Sequence, residues 1–322
     1  MQDTFSGAAL SLLHNRPIKS EVTGQGEDTR TFADQAKLFM NHGTNRKRKP
    51  FRPNTIRTFS SNLNVNLLPL IGSTRLQDVG NALVKSVVAE LQEQGLSAAT
   101  VRDNINLIKQ IVKSAVDENG DQLFPRNWNS EHIDASPVEN QKQPTVTAET
   151  IQEAISKAIP ADKALYALLA GSGLRINEAL GISLSDDGKS NFMAGGIVYV
   201  RSQRGGDVPK TKAGIRQVDL APELETFIRA NAKPEDNLMF PESQSLYRER
   251  MIKNGILGGF HTLRRFRISY LKSQSIPDMM IKFWSGHAAS DMTERYTKVG
   301  SAIQERKEQA SKAGLGFKLE TA

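Results

Sequence analysis

Two arginines, two histidines, a lysine and a tyrosine stand in an order that can serve a single phosphate. Arg175 follows a glycine break in Gly173-Leu174-Arg175, and Lys210 lies in Pro209-Lys210-Thr211-Lys212. His261 and Arg264 are three apart in His261-Thr262-Leu263-Arg264, His287 follows Ser285-Gly286, and Tyr296 comes nine positions after it. Cutting a phosphodiester without a metal needs these residue types: cations to hold the phosphate, a proton donor for the departing oxygen, and a phenol to attack phosphorus. Arginine suits a transition state that gains negative charge, because its planar fork donates two hydrogen bonds and stays protonated at any working pH. Metal ligation is a poorer reading. The histidines are 26 apart, no His-x-x-x-His spacing exists and cysteine is absent. A phosphate-binding loop at Lys210-Thr211 fails as well, since Arg204 and Pro209 stand where that loop needs glycine.

The chain has 322 residues, 38% apolar and 24% charged, enough for two domains with a core each. The lack of cysteine excludes disulfides, thiolate metal sites and thiol nucleophiles. No apolar run approaches ~18 residues and no basic-then-apolar leader opens the chain, so neither membrane partner nor secretion is expected and the location reads as cytoplasmic. A net charge of +7 favours a polyanionic partner. Between Asp34 and Asp78 there is no acidic residue, while Arg46, Lys47, Arg48, Lys49, Arg52 and Arg57 fall inside that window. They form either a solvated basic loop or a positive face that neutralises phosphates.

These groups need elements to position them. Apolar spacing predicts helices from Thr31 to about Gly43, from Pro53 to about Pro69, over Asn81 to Gln94, and from an N-cap at Ser97 to Asn119-Gly120. Residues 121–144, rich in Pro, Asn and Gln, read as a linker. Beyond them Thr147 caps a helix, and Lys163 to Ala170 is apolar on nearly every side. Ile197, Tyr199, Arg201 and then Arg216, Val218, Leu220 alternate as two strands, with Leu238 to Phe240 as a short third. Helices follow over Leu246 to Lys253 and His261 to Gln274. Pro277 reads as the first residue of another, and Ser290 as the cap of the one bearing Tyr296.

Gly173-Leu174-Arg175, His261-Thr262-Leu263-Arg264, Gly286-His287 and Tyr296 resemble the signature of the tyrosine recombinase (phage integrase) family. The order agrees, and so do the 23 positions from Arg264 to His287 and the nine from there to Tyr296. The resemblance spans about Thr147 to Lys298 on motifs. It implies a mainly α fold with a small antiparallel β-sheet: an N-terminal helical, SAM-like core-binding domain and a C-terminal mixed α/β catalytic domain. The expected divisions are a flexible arm (1–29), the helical DNA-binding domain (30–120), the linker (121–144), the catalytic domain (145–300) and a tail (301–322) that either packs on its own domain or docks on a neighbouring protomer.

The resemblance also implies roles. Arg175 and Arg264 clamp the phosphate, and Tyr296 attacks it. His261 moves a proton or binds phosphate, His287 binds phosphate, and Lys210, or else Lys212, protonates the departing 5′ oxygen. Glu178 matches an acidic position of the motif and either orients a neighbour or is an ordinary surface residue. Two positions depart from the pattern, Arg265 in place of a second histidine and Ser285 in place of leucine, and they bear on subfamily only. The implied partner is double-stranded DNA, bound by a homotetramer on two sites, with neither ATP nor metal as cofactor. Type IB topoisomerase activity, or a basic DNA-binding regulator that cuts nothing, are the alternatives.

Overall fold

Thr31 begins the first helix with a reciprocal cap: its hydroxyl accepts from Asp34 N, and the Asp34 carboxylate accepts from Thr31 N, each at 3.2 Å. That helix, α1 (Phe32–Asn45), buries Phe32, Ala36 and Met40. The computed structural model describes residues 29–138, 146–206, 209, 212–287 and 299–319, so residues 1–28 of the expected arm lie outside the described residues. The chain divides into two units, Met1–Gln141 and Lys142–Ala322.

In the first unit α2 (Pro53–Ser61) opens on a proline and runs through a π-helical turn, Asn62–Leu67, into α3 (Leu68–Ile71). Pro69 cannot donate to the preceding turn, and Leu68 N reaches back five residues to Leu63 O. Next come α4 (Asn81–Glu93) and α5 (Ala98–Lys113), the latter capped by Ser97 as expected. The end of α5 comes earlier than its periodicity predicts. Asp117 Oδ1 accepts from Asn119 N and Asp121 N, a turn that competes with the helix and sets Val116 opposite Gln122.

The expected linker needs correcting too. Its first part is built into the first unit: Phe124, Trp128 and Ala135 pack on that core, and Ile133 of α6 (Ser130–Ile133) is buried in it. Arg126 Nε donates to Val79 O at 3.1 Å and Asn81 Nδ2 to Asn127 O at 3.0 Å.

In the second unit Thr147 caps α7 (Ala148–Lys157), and α8 (Pro160–Ser172) is buried along nearly its whole length. A short α9 (Ile176–Ala179) leads into the sheet, β1 (Ile182–Ser183), β2 (Asn191–Ala194), β3 (Ile197–Val200) and β4 (Arg216–Asp219), in that spatial order. The small sheet is mixed: β2, β3 and β4 are antiparallel, as expected, and β1 lies parallel to β2. Leu238 makes only isolated bridges, to Ser183 and Glu235, rather than a strand. The remaining helices are α10 (Pro222–Asn231), α11 (Gln244–Lys253), α12 (Phe260–Ser273) and α13 (Asp278–Ser285), with Pro277 one residue before its first turn. After a 3-10 turn at Val299–Ser301 comes α14 (Ile303–Ala313).

Helices α10 and α12 pack on α8, and the core extends to Ala310, Ala313, Leu315 and Phe317 near the chain's end. The part of the tail from Ile303 to Phe317 thus joins the second unit. Among the described residues no helix is long and apolar enough to cross a membrane.

Candidate active site

The first arginine owes its place to the end of α8. Gly173 closes that helix at φ +71, a conformation that strains other residues, and two residues later Arg175 starts α9. Arg175 N donates to Glu178 Oε2 and its Nη1 to Glu178 Oε1, each at 2.9 Å. The arginine side chain stays 36% exposed and the carboxylate only 3%. One end of Arg175 is therefore fixed from inside while its surface remains open to a ligand.

Glu178 is the buried anion of the site. Besides Arg175 it accepts from Arg216 Nη1 at 3.0 Å and Nη2 at 2.9 Å. Burial alone raises its pKa, but the hydrogen bonds and charge of Arg216, with those of Arg175, outweigh that and hold it below the ordinary value. The orienting role is the one that geometry supports, and the surface-residue reading fails.

Arg216, at the start of β4, also donates from Nε to Trp284 O at 2.7 Å and from Nη1 to Gly214 O at 3.1 Å. It thereby ties the carboxylate to the end of α13 and to the segment leading into β4. Sequence reasoning finds in Arg216 only a strand residue. The available signal is its phase: it alternates with Val218 and Leu220, so it points inward, and a buried guanidinium needs a carboxylate.

The second clamp arginine comes from α12. Arg264 is 5% exposed. Its Nη1 donates to Gly173 O at 2.7 Å, and Nη2 donates to Ser285 O and lies 3.3 Å from His287 Nε2. One guanidinium thus joins the two glycine turns that carry the motif. Because Ser285 serves here through its carbonyl, its departure from the family's usual leucine leaves the contact intact. Burial first, then the charge of Arg175, lowers the Arg264 pKa to about 10, which leaves it protonated at neutral pH.

The second glycine has a direct reason. Gly286 ends α13 at φ +66, and a Cβ there would fall 2.8 Å from Arg216 Nη1. Only glycine permits both the turn and the close approach of that guanidinium. The turn presents His287, which is exposed, as is His261 on the first turn of α12. Desolvation first, and then Arg264, holds both imidazoles below the ordinary histidine pKa. A guanidinium can only donate, so in this contact His287 Nε2 is the acceptor and the neutral ring carries its proton on Nδ1.

Arg175, Arg264, His261 and His287 are thus brought together, with Arg216 and Glu178 beneath them. Two guanidiniums, those of Arg175 and Arg216, bond to one carboxylate, and a third, that of Arg264, feels its charge without bonding to it, a surplus of positive charge that an anion would relieve. Lys210 and Tyr296 lie outside the described residues, as does Ser290. Among the described residues no group of His, Asp and Glu could hold a metal ion.

In the first unit Arg46, Lys47, Arg48, Lys49, Arg52 and Arg57 are all exposed. Their loop is held from beneath by Phe51, whose ring centroid lies 5.3 Å from that of Phe39 and 5.4 Å from that of Phe59. Gly43 makes room, since a Cβ there would fall 1.9 Å from the Phe51 ring. Arg46 lies over that ring at 5.1 Å and donates to Lys49 O at 2.6 Å.

This architecture is similar to that of solved integrases and recombinases. The Tn1549 transposon integrase in complex with a circular intermediate DNA matches with a TM-score of 0.61 and 18% identity, over 86% of this chain and 98% of that one. A lambda integrase dimer bound to a COC′ core site matches with a TM-score of 0.61 and 14% identity, over 84% and 97%. The XerH site-specific recombinase bound to palindromic difH substrate, a post-cleavage complex, gives a TM-score of 0.55 at 16% identity, over 89% and 97%. No family model and no curated protein matches the sequence. With its sheet, its helical units and its paired arginines in place, the chain has the tyrosine recombinase fold that the sequence motifs resemble.

Proposed function

We propose that the chain is a site-specific DNA recombinase that cleaves and rejoins DNA through a covalent 3′-phosphotyrosine. The observation that carries this reading is the surplus of positive charge around Glu178, with Arg264 buried, Arg175 partly open and two histidines exposed beside them. The solved structures of similar fold are DNA complexes, which supports double-stranded DNA as the ligand.

In the proposed reaction Arg175 and Arg264 hold the non-bridging oxygens of one phosphate. The Tyr296 oxygen attacks phosphorus, the bond to the 5′ oxygen breaks, and Lys210, or else Lys212, gives that oxygen its proton. The phenol's proton passes to His261 or to solvent, and His287 donates a hydrogen bond to the phosphate. Preorganised donors of this kind contribute about 3–4 kcal/mol each to the transition state. Attack on the phosphotyrosine by a 5′ hydroxyl of a second duplex completes the exchange. The bond energy is conserved in the transester, so the chemistry calls for neither ATP nor metal. Arg46, Lys47, Arg48, Lys49, Arg52 and Arg57 bind the DNA backbone from the first unit, and four copies of the chain join two sites.

The test uses DNA recovered with the protein from its host, carried as two sites on one supercoiled plasmid. Exchange between the sites, with a detergent-stable protein–DNA adduct, is the expected outcome. Relaxation without exchange would favour a topoisomerase, and binding without any adduct a regulator.

A further inference from the structure

Arg306, on α14, has no measurable exposure, and all five of its guanidinium donors are matched. Nε donates to Asp219 Oδ2 at 2.8 Å, and Nη2 to Gln217 Oε1 and, at 3.4 Å, to Asp219 Oδ1. Nη1 donates to two main-chain carbonyls, Val299 at 3.1 Å and Gly300. The guanidinium also lies 5.0 Å from the centroid of the Phe283 ring. Asp219 Oδ2 accepts in addition from Trp284 Nε1 at 2.7 Å. One buried ion pair therefore joins α14, the end of β4, the last turn of α13 and the residues at 299 and 300.

Docking of α14 does not require this. Ala310, Ala313, Leu315 and Phe317 already bury an apolar face, and a buried ion pair adds little net stability over apolar packing. What the guanidinium does provide is a fixed backbone at Val299, only three residues after Tyr296. Three residues span at most about 11 Å when fully extended, so the separation in sequence alone limits how far the Tyr296 backbone can stand from the held Val299. The same Asp219 and Trp284 connect that point to β4 and α13, the elements that carry Arg216 and Gly286.

Resting on the reading of Tyr296 as the nucleophile, we infer that Arg306 is a positioning residue: through the carbonyls of Val299 and Gly300 it sets the origin of the tether that carries the phenol to the phosphate. A displacement of order 1 Å at a reacting group costs on the order of 100-fold in rate. Loosening this anchor should therefore slow attack while sparing the phosphate clamp.

The experiment measures single-turnover adduct formation on a nicked suicide duplex, together with DNA affinity and melting temperature, for the full chain and for Arg306→Lys. The expected result is adduct formation slowed about tenfold or more, with affinity within about twofold. A second variant inserts two glycines between Lys298 and Val299, leaving Arg306 and the core untouched, and should show the same slowing even if Arg306→Lys folds poorly. Strand cleavage by added hydrogen peroxide in the Tyr296→Phe chain, which needs the clamp and no tethered phenol, should be unaffected by either change. An unaltered adduct rate in a folded Arg306→Lys or in the insertion variant would overturn the inference. So would equal loss of peroxide-driven cleavage, which would place the effect on the clamp. Absence of any adduct from the unaltered chain would overturn the nucleophile reading as well, so the two failures are told apart.

Discussion

Both terminal nitrogens of Arg216 donate to the carboxylate of Glu178, at 3.0 and 2.9 Å, and that carboxylate also holds Arg175. The open cation of the site is thus set by a closed one, through an acid almost wholly shielded from solvent. Replacing Glu178 by Gln should cost about 3–5 kcal/mol, the usual penalty for breaking a buried pair, because Arg216 is left uncompensated. Urea unfolding followed through the second unit measures it, and a loss under about 1 kcal/mol would mean that Arg216 finds another partner.

The same pair makes stability depend on acid. The Glu178 pKa is held below the ordinary 4.5, so its contribution is complete above that value and is lost as pH falls through the lower folded value. Unfolding titrations from pH 6 down to about 3 should show a steeper loss for the natural chain than for Glu178→Gln. Parallel curves would contradict this.

Gly286→Ala places a methyl group 2.8 Å from Arg216 and forces alanine to φ +66. Strain of this kind costs about 1–3 kcal/mol, and the turn that carries His287 must shift to relieve it. Denaturant midpoints report the first effect and adduct rates the second. Gly80, where a Cβ meets nothing within 4 Å, supplies the control, and Gly80→Ala should leave adduct rates unchanged.

The two histidines give DNA binding a pH dependence. Desolvation and then Arg264 hold both pKa values below 6.5, so both rings are neutral at pH 7. A bound phosphate favours the charged form, so binding takes up protons and affinity rises as pH falls from about 7.5 to 6, by at most about tenfold per pH unit per histidine. Replacing His261 and His287 together by Asn should flatten that slope at constant salt. An unchanged slope would place the protons elsewhere.

In the first unit the exposed basic loop sets the salt dependence. Changing Lys47 and Arg48 to Gln should reduce the slope of log affinity against log salt by roughly 0.9 for each phosphate left without its cation. The aromatic support is untouched, since Phe51 packs with Phe39 and Phe59. An unaltered slope would make the loop a merely solvated one.

Much of the site is legible in the sequence because its polar residues sit at breaks in the apolar pattern. Gly173 before Arg175 and Gly286 before His287 mark helix ends, and a glycine there has a local cause that spacing reveals. Arg216 and Arg306 are hidden for the opposite reason. Their carboxylates lie 38 and 87 positions away, and although the phase of Arg216 points it inward, nothing local in the sequence names the partner of either arginine. The two-residue β1 is too short to show a period. Periodicity makes α5 too long because Val116 continues its apolar phase, whereas Asp117 turns the backbone. Residues 121–138 resemble a linker because their few apolar side chains, Phe124, Trp128 and Ile133, pack on a unit already formed rather than on one another.

In the proposed reaction the Tyr296 oxygen becomes bonded to phosphorus at the end of the cleaved strand. That bond can be read by trapping the chain on a nicked suicide duplex, digesting the adduct and sequencing the nucleotide-bearing peptide by mass spectrometry. The expected peptide carries a 3′-phosphate on Tyr296, and Tyr296→Phe yields none while still binding the duplex. A nucleotide on any other residue, or an adduct that survives Tyr296→Phe, would contradict it.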